Sequence, residues 1–149
     1  MQACDALRAY LVDQGLCTDL KAASQFHAAP FFRLRIGRRW IPFWPMWGMR
    51  RAAVIHDVHH LLTGYDTSYR KELHLAAWEL GSGGCGGHVL MCFDRLFVML
   101  FAPLDPVGTW SAFRAGLQCR NLYRWPSEEV LSTDVEQLLE ALQPRGQPS

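Results

Sequence analysis

Residues 56–72, HDVHHLLTGYDTSYRKE, hold three of the chain's six histidines and close on a glutamate. On a helix, side chains four positions apart share a face, with β-carbons about 5–6 Å apart. His56 and His60 stand in that relation, and Asp57, three residues before His60, flanks the same edge. His59 is rotated by about 100° from His60 and points elsewhere. One helix face cannot surround an ion, so a further ligand must come from another element. Glu72 is placed for that role. The eleven residues before it contain Gly64 and the polar turn YDTS, enough chain to reverse direction. Two imidazoles and two carboxylates form a mixed nitrogen–oxygen set that suits one divalent ion, Zn²⁺ or else Fe²⁺ or Mn²⁺. The carboxylates also balance the ion's charge, which lowers the cost of burying it. In a chain of this composition the pattern arises by chance in about one sequence in two thousand. The competing reading is a solvated helix face that happens to carry histidines and an acid.

Helices must position these groups. MRRAAVIHDVHHLLTG predicts a helix stopped by Gly64, and SYRKELHLAAWELG a second stopped by Gly81. Apolar spacing in ACDALRAYLVDQG predicts a first helix ending on Gly15. HVLMCFDRLFVMLF follows the glycine-rich GSGGCGG. Asp105 and Pro106 look like an N-cap and a first-turn proline, opening a helix to about Cys119. Thr133 and Glu136 form a capping-box pattern before VEQLLEAL. The expected fold is all-α: one domain over 1–149, a compact bundle of about six to seven helices, with a loose tail from 144. The segment 28–51 is the exception. It carries six Arg, three Trp, three Phe, three Pro and no acid. It is read as irregular, or as holding a short strand at FFRLRI. Either it packs aromatics on the helices while arginines stay in water, or Arg38, Arg39, Arg50 and Arg51 form a surface for anionic lipid or substrate.

Composition narrows the function classes. Half of the 149 residues are hydrophobic and the net charge is +1. That argues for a folded core and gives no bias towards nucleic acid. The five cysteines at 4, 17, 85, 92 and 119 include no C-x-x-C pair. Reduced thiols and a cytoplasmic location are expected, since the start lacks the plan of a secretory signal. The longest apolar run is broken by Asp94 and Arg95, so neither part should span a bilayer.

The spacing H-D-x-x-H-x(11)-E resembles the metal-binding signature of the coenzyme Q (ubiquinone) biosynthesis protein 4 family. His56, Asp57, His60 and Glu72 fall on the four ligand positions. LLTG after the second histidine is typical of that family, as is the pair Trp78–Glu79. The closing part FRAGLQCRNLYRWPSEEVLSTDVEQLLEALQ is similar to its last helices. The residue before the ligand glutamate departs from the usual Gly and is Lys71. The resemblance implies a mostly helical fold, a bound divalent metal and peripheral contact with the inner face of the cell membrane. It also implies oxidative decarboxylation of a prenylated aromatic acid, with hydroxylation at ring carbon one. A homodimer or a biosynthetic complex would fit the same picture. Glu79, two turns beyond Glu72, is either a hydrogen-bonding or proton-transfer group of that site or an ordinary exposed helix acid. His74 and His88 are read as surface or core histidines. The apolar helix from 89 to 104 lines a prenyl tunnel or is plain core.

Two other classes compete with a metal-dependent decarboxylase of the lyase type. One is a non-catalytic lipid-binding or scaffold protein whose metal clamps two helices. The other is a phosphohydrolase built on a His-Asp dyad, with His27 and Asp94 or Asp105 completing the set.

Overall fold

The computed structural model describes residues 1–14, 32–36, 39–43, 49–84 and 88–143; for 32–36, 39–43, 49–50 and 88–93 it describes the course of the backbone alone. The fold is a helical bundle. Among the described residues its α-helices are α1 (Ala3–Asp13), α2 (Met49–Thr63), α3 (Tyr69–Gly81), α4 (His88–Phe101), α5 (Pro106–Leu117), α6 (Ser127–Ser132) and α7 (Val135–Leu142). A 3-10 turn, Ala102–Leu104, joins α4 to α5. Within the segment expected to be irregular, β1 (Phe32–Ile36) and β2 (Arg39–Phe43) form an antiparallel hairpin, with Phe32 opposite Phe43 and Leu34 opposite Ile41. Of the two readings of FFRLRI, the strand is the one found. Alternating Phe32, Leu34 and Ile36 with Arg33 and Arg35 supplies the two-residue period a strand needs. Among the described residues no helix is long and apolar enough to cross a membrane.

The helix ends explain themselves locally. Gly64 has φ +73, so α2 stops where a left-handed residue costs least, and its N–H still bonds to the His60 carbonyl at 3.0 Å. Asp105 caps α5 by accepting from the Gly108 N–H at 3.0 Å, with Pro106 in the first turn as expected. That helix closes at Leu117, two residues short of Cys119. The capping box before α7 is corrected. Asp134 is the N-cap, accepting from the Glu136 N–H at 3.0 Å. Thr133 instead donates its hydroxyl back to the Glu129 carbonyl at 2.7 Å, because α6, which periodicity did not reveal, ends just before it. Gly15 and the tail from 144 lie outside the described residues.

The core runs through Leu7, Ile55, Val58, Leu75, Leu122 and Leu138, each at most 1% exposed. Full burial of each such side chain stabilises the fold by about 1.5–3 kcal/mol. On α2 the buried positions are Ala52, Ile55, Val58, His59 and His60. The apolar stripe of this helix therefore turns into histidines at its C-terminal end. On α3, Leu75 through Glu79 are all buried, so this helix is wrapped on nearly every side. Its closest neighbour is α5. A β-carbon at Gly116 would overlap the Trp78 carbonyl, and one at Gly81 the Phe113 carbonyl. The two backbones touch there, which fixes the depth at which α3 carries Glu72 and Glu79. Arg51 ties the start of α2 to the 121–126 loop, donating through Nη2 to the carbonyls of Tyr123 and Trp125, both at 2.8 Å. At both ends of the chain, Ala3 N–H bonds the Thr133 carbonyl at 2.9 Å and Val135 N–H the Met1 carbonyl at 3.1 Å.

Gly116→Ala should destabilise the protein by about 2–3 kcal/mol, because the obstruction is backbone and cannot rotate away. Urea unfolding measures this; a loss below about 0.5 kcal/mol would mean that α3 and α5 slide apart freely.

Candidate metal centre

His56, His60 and Glu72 come together as the sequence spacing predicts. One ligand atom from each lies within 4.8 Å of the others. Glu72 bridges the two rings, with Oε2 at 3.3 Å from His56 Nε2 and Oε1 at 3.2 Å from His60 Nε2. The rings meet edge to face, 4.8 Å between centroids. His60 is buried, while His56 and Glu72 keep 28% and 33% of their side chains exposed, so the centre opens to solvent on one side only. Asp57, expected to converge with them, is half-buried and stands outside this group of three.

Hydrogen bonds behind the rings decide which nitrogen faces the centre. The Tyr65 carbonyl can only accept, so His60 Nδ1, 2.8 Å away, is its donor. That leaves His60 Nε2 as the nitrogen that faces Glu72. The turn at Gly64 brings the Tyr65 carbonyl back over the end of α2, and the Tyr10 hydroxyl donates to the same oxygen at 3.2 Å. His56 Nδ1 lies 3.1 Å from both Glu79 oxygens and donates to that carboxylate. Its Nε2 thus also points inwards. Both imidazoles are held in the orientation a metal ligand requires, a carbonyl or a carboxylate fixing the far nitrogen of each.

Glu79 is no exposed helix acid: its side chain is fully buried. Its Oε1 accepts from His59 Nδ1 and from the Tyr123 hydroxyl, each at 2.8 Å. His59 Nε2 in turn accepts the Leu122 N–H at 3.1 Å, which fixes the Nδ1–H tautomer. As its position on the helix predicts, His59 stands outside the group of His56, His60 and Glu72, but it shares Glu79 Oε1 with His56. It does more than line the core, though, since it joins α2, α3 and the 121–126 loop. Tyr123 and the Tyr65 carbonyl escaped the sequence reading, because neither belongs to a motif and Tyr123 lies 44 residues from Glu79. His74 is a structural histidine as read, its Nε2 2.9 Å from Asp105 Oδ2. That pairing and the capping bond occupy Asp105, which leaves it poorly placed for a His-Asp phosphohydrolase set. His27, Arg38 and the side chains of Arg39, Arg50 and His88 lie outside the described residues. Arg51 donates through Nη2 to two backbone carbonyls and is exposed. Cys4 and Cys119 are free thiols.

The electrostatics follow from this geometry. Burial works against a charge on His56, but hydrogen bonds to Glu72 and Glu79, and their charges, outweigh it and raise the imidazolium pKa to about 11. Burial likewise opposes ionisation of Glu72, yet hydrogen bonds from His56 and His60 hold its carboxyl down to about 2. Glu79 is kept well below the usual carboxylate range against its complete burial, by its bonds to His56 and His59. Both glutamates are therefore anionic at neutral pH, and His56 carries a proton between them. A divalent ion bound to His56 Nε2 takes the place of that proton, so metal and proton compete there. The donor set fits such an ion: two imidazole nitrogens, one carboxylate and a second, buried carboxylate that balances charge from behind.

No protein-family model matches this chain, and neither a curated protein nor a solved structure matches it.

His60→Ala should lose bound metal while the rest of the network stays intact. His59→Ala should keep the metal but cost about 3 kcal/mol or more, since it opens a core cavity and strips partners from Leu122 N–H and Glu79. Metal analysis and urea unfolding of both variants check this. Metal loss in His59→Ala with full metal in His60→Ala would reverse the assignment of the two rings.

Proposed function

We propose that the chain is a divalent-metal protein of the coenzyme Q biosynthesis protein 4 type, acting on an aromatic acid or a prenylated derivative of one. The observation that carries this reading is the pair of Nε2 atoms of His56 and His60 aimed at Glu72, each ring fixed from behind, on the H-D-x-x-H-x(11)-E spacing. One ion, most simply Zn²⁺, with Fe²⁺ or Mn²⁺ as alternatives, would be held by these three residues, with Asp57 completing the set. When bound, an ion there supplies Lewis acidity towards a substrate carboxylate, and redox chemistry with O₂ only if it is iron or manganese. The chain's own residues do the rest. Glu79 keeps His56 from turning, and the buried side of the centre excludes water. In the proposed reaction the ring carboxyl leaves as CO₂, a hydroxyl that takes one oxygen atom of O₂ takes its place, and two electrons from an added reductant with two protons carry the second oxygen atom to water.

Support for a lipid-like substrate or a peripheral membrane contact comes from α4 and α5. Met99 and Leu100 at the end of α4, Leu104 in the 3-10 turn, and Val107 and Trp110 at the start of α5 are each more than 60% exposed. A cavity of about 520 Å³ opens among Leu80, Met99, Pro103, Trp110 and Phe113. A second reading has one observation of its own. The ligands come from both α2 and α3, so an ion would staple the two helices whether or not anything turns over.

Metal-loaded protein, incubated under air with a prenylated 4-hydroxybenzoate and a reductant, should release CO₂, and removal of the metal or His60→Ala should abolish it. Tight binding without CO₂ would favour the clamp, and hydrolysis of a phosphate ester the phosphohydrolase.

A further inference from the structure

The C-terminal end of α3 carries a second concave site. Gly81, the last residue of the helix, lies about 13 Å along its axis from Glu72. A cavity of about 800 Å³ opens there between the end of α3, the end of α5 and the 120–125 loop. Small-molecule sites span about 300–1,000 Å³, so this one has the size of such a site. It shares no residue with the group of His56, His60 and Glu72.

The protein's own bonds shape its walls. Asn121 Nδ2 donates to the carbonyls of Ser82 at 3.2 Å and Gly84 at 2.9 Å, while its Oδ1 accepts the Tyr123 N–H at 3.2 Å. Arg120 N–H bonds the Leu142 carbonyl at 3.1 Å, which ties the loop to α7. Gly83 and Gly84 have φ +117 and +66, a path over the helix end that other residues rarely follow.

The charge inside this cavity has no balance. Arg120 and Arg124 both line it and both are exposed. Among the described residues neither guanidinium has an ion-pair or hydrogen-bond partner. No lining residue is acidic, and the stretches that follow Gly84 and Gln143, 85–87 and 144–149, contain no Asp or Glu. A single exposed arginine is ordinary surface, but two in one concavity without an acid create a positive potential within it. The carbonyls that end α3 would oppose an anion. The N–H groups of Ser82, Gly83 and Gly84 already bond to those of Trp78, Leu80 and Glu79. A guanidinium offers paired donors that match a phosphoryl group. Such a group fills only part of the volume, and Leu117 with the half-buried Trp125 gives the rest an apolar lining.

We propose that this cavity binds a small organic phosphate, its phosphoryl group at Arg120 and Arg124 and its apolar part against Trp125 and Leu117. The assignment stands apart from the metal reading, since it uses none of the same residues.

Calorimetric titration of the metal-free protein with phenyl phosphate, inorganic phosphate and phenol tests this. Phenyl phosphate should bind at least about tenfold more tightly than either of the others, and less tightly as salt is raised. Combining Arg120→Gln with Arg124→Gln should weaken it at least about tenfold. Combining Arg8→Gln with Arg95→Gln removes the same charge elsewhere on the surface and should leave the affinity unchanged. The melting temperature of the first pair should match the wild type, because neither guanidinium is bonded within the fold; a drop would make the pair structural and overturn the proposal. An equal loss in both pairs, which would mean general charge attraction, overturns it too. So does a wild type that binds phenol or inorganic phosphate as tightly as phenyl phosphate, or binds none of the three. A phospholipid headgroup offers the same phosphate. Vesicles containing phosphatidate that recruit the wild type but not the Arg120→Gln, Arg124→Gln protein, with no binding of phenyl phosphate, would overturn the small-ligand assignment.

Discussion

A carboxylate without solvent can persist only if its charge is met by donors, and Glu79 meets that condition from three directions. His56, His59 and Tyr123 all turn a polar hydrogen towards it. Taking an ion of this size out of water costs several kcal/mol, so each donor is indispensable to the others. The arrangement binds α2 to α3 and both to the 121–126 loop, and Leu122 N–H closes it through His59. Because His56 is one of the three donors, the same constraint that keeps Glu79 buried also aims His56 Nε2 at Glu72. Stability and site geometry are one problem here.

The remaining architecture delivers α3 to the right depth. Gly81 and Gly116 let α5 and α3 approach until their backbones touch. Gly64 ends α2 and returns the Tyr65 carbonyl to His60. Without that turn His60 could present either nitrogen. Hydrogen bonds from both rings keep Glu72 anionic between them, so the protein's own contacts gather the three candidate ligands.

How much of this was legible beforehand depends on the range of the interaction. The four-residue spacing of His56 and His60 is local, and a helix converts it directly into a shared face. The eleven residues to Glu72 with a glycine among them made a helical hairpin the natural reading. The Asp105–Pro106 start of α5 and the Gly64 stop of α2 were equally local. What sequence could not supply was burial. Glu79 reads as a surface acid or a site residue with equal ease until Tyr123, 44 residues on, is seen against it. Arg51 reads as part of a basic surface, and its Nη2 bonds to two carbonyls more than 70 residues away are a contact that no local spacing reveals. Asp57 shares the helix edge with His60 by spacing, yet it is not one of the three residues whose ligand atoms meet. Thr133 lost the capping role to Asp134 because a short helix, invisible to periodicity, ended one residue earlier.

The central claim is that Nε2 of both His56 and His60, with Glu72, faces a bound ion. X-ray absorption at the zinc edge of the zinc-loaded protein tests it most directly. A shell of nitrogen and oxygen at about 2.0–2.2 Å is expected. The outer-shell scattering of two imidazoles should accompany it, reduced to one in His60→Ala. A sulfur shell at about 2.3 Å, or a spectrum without imidazole, would contradict it.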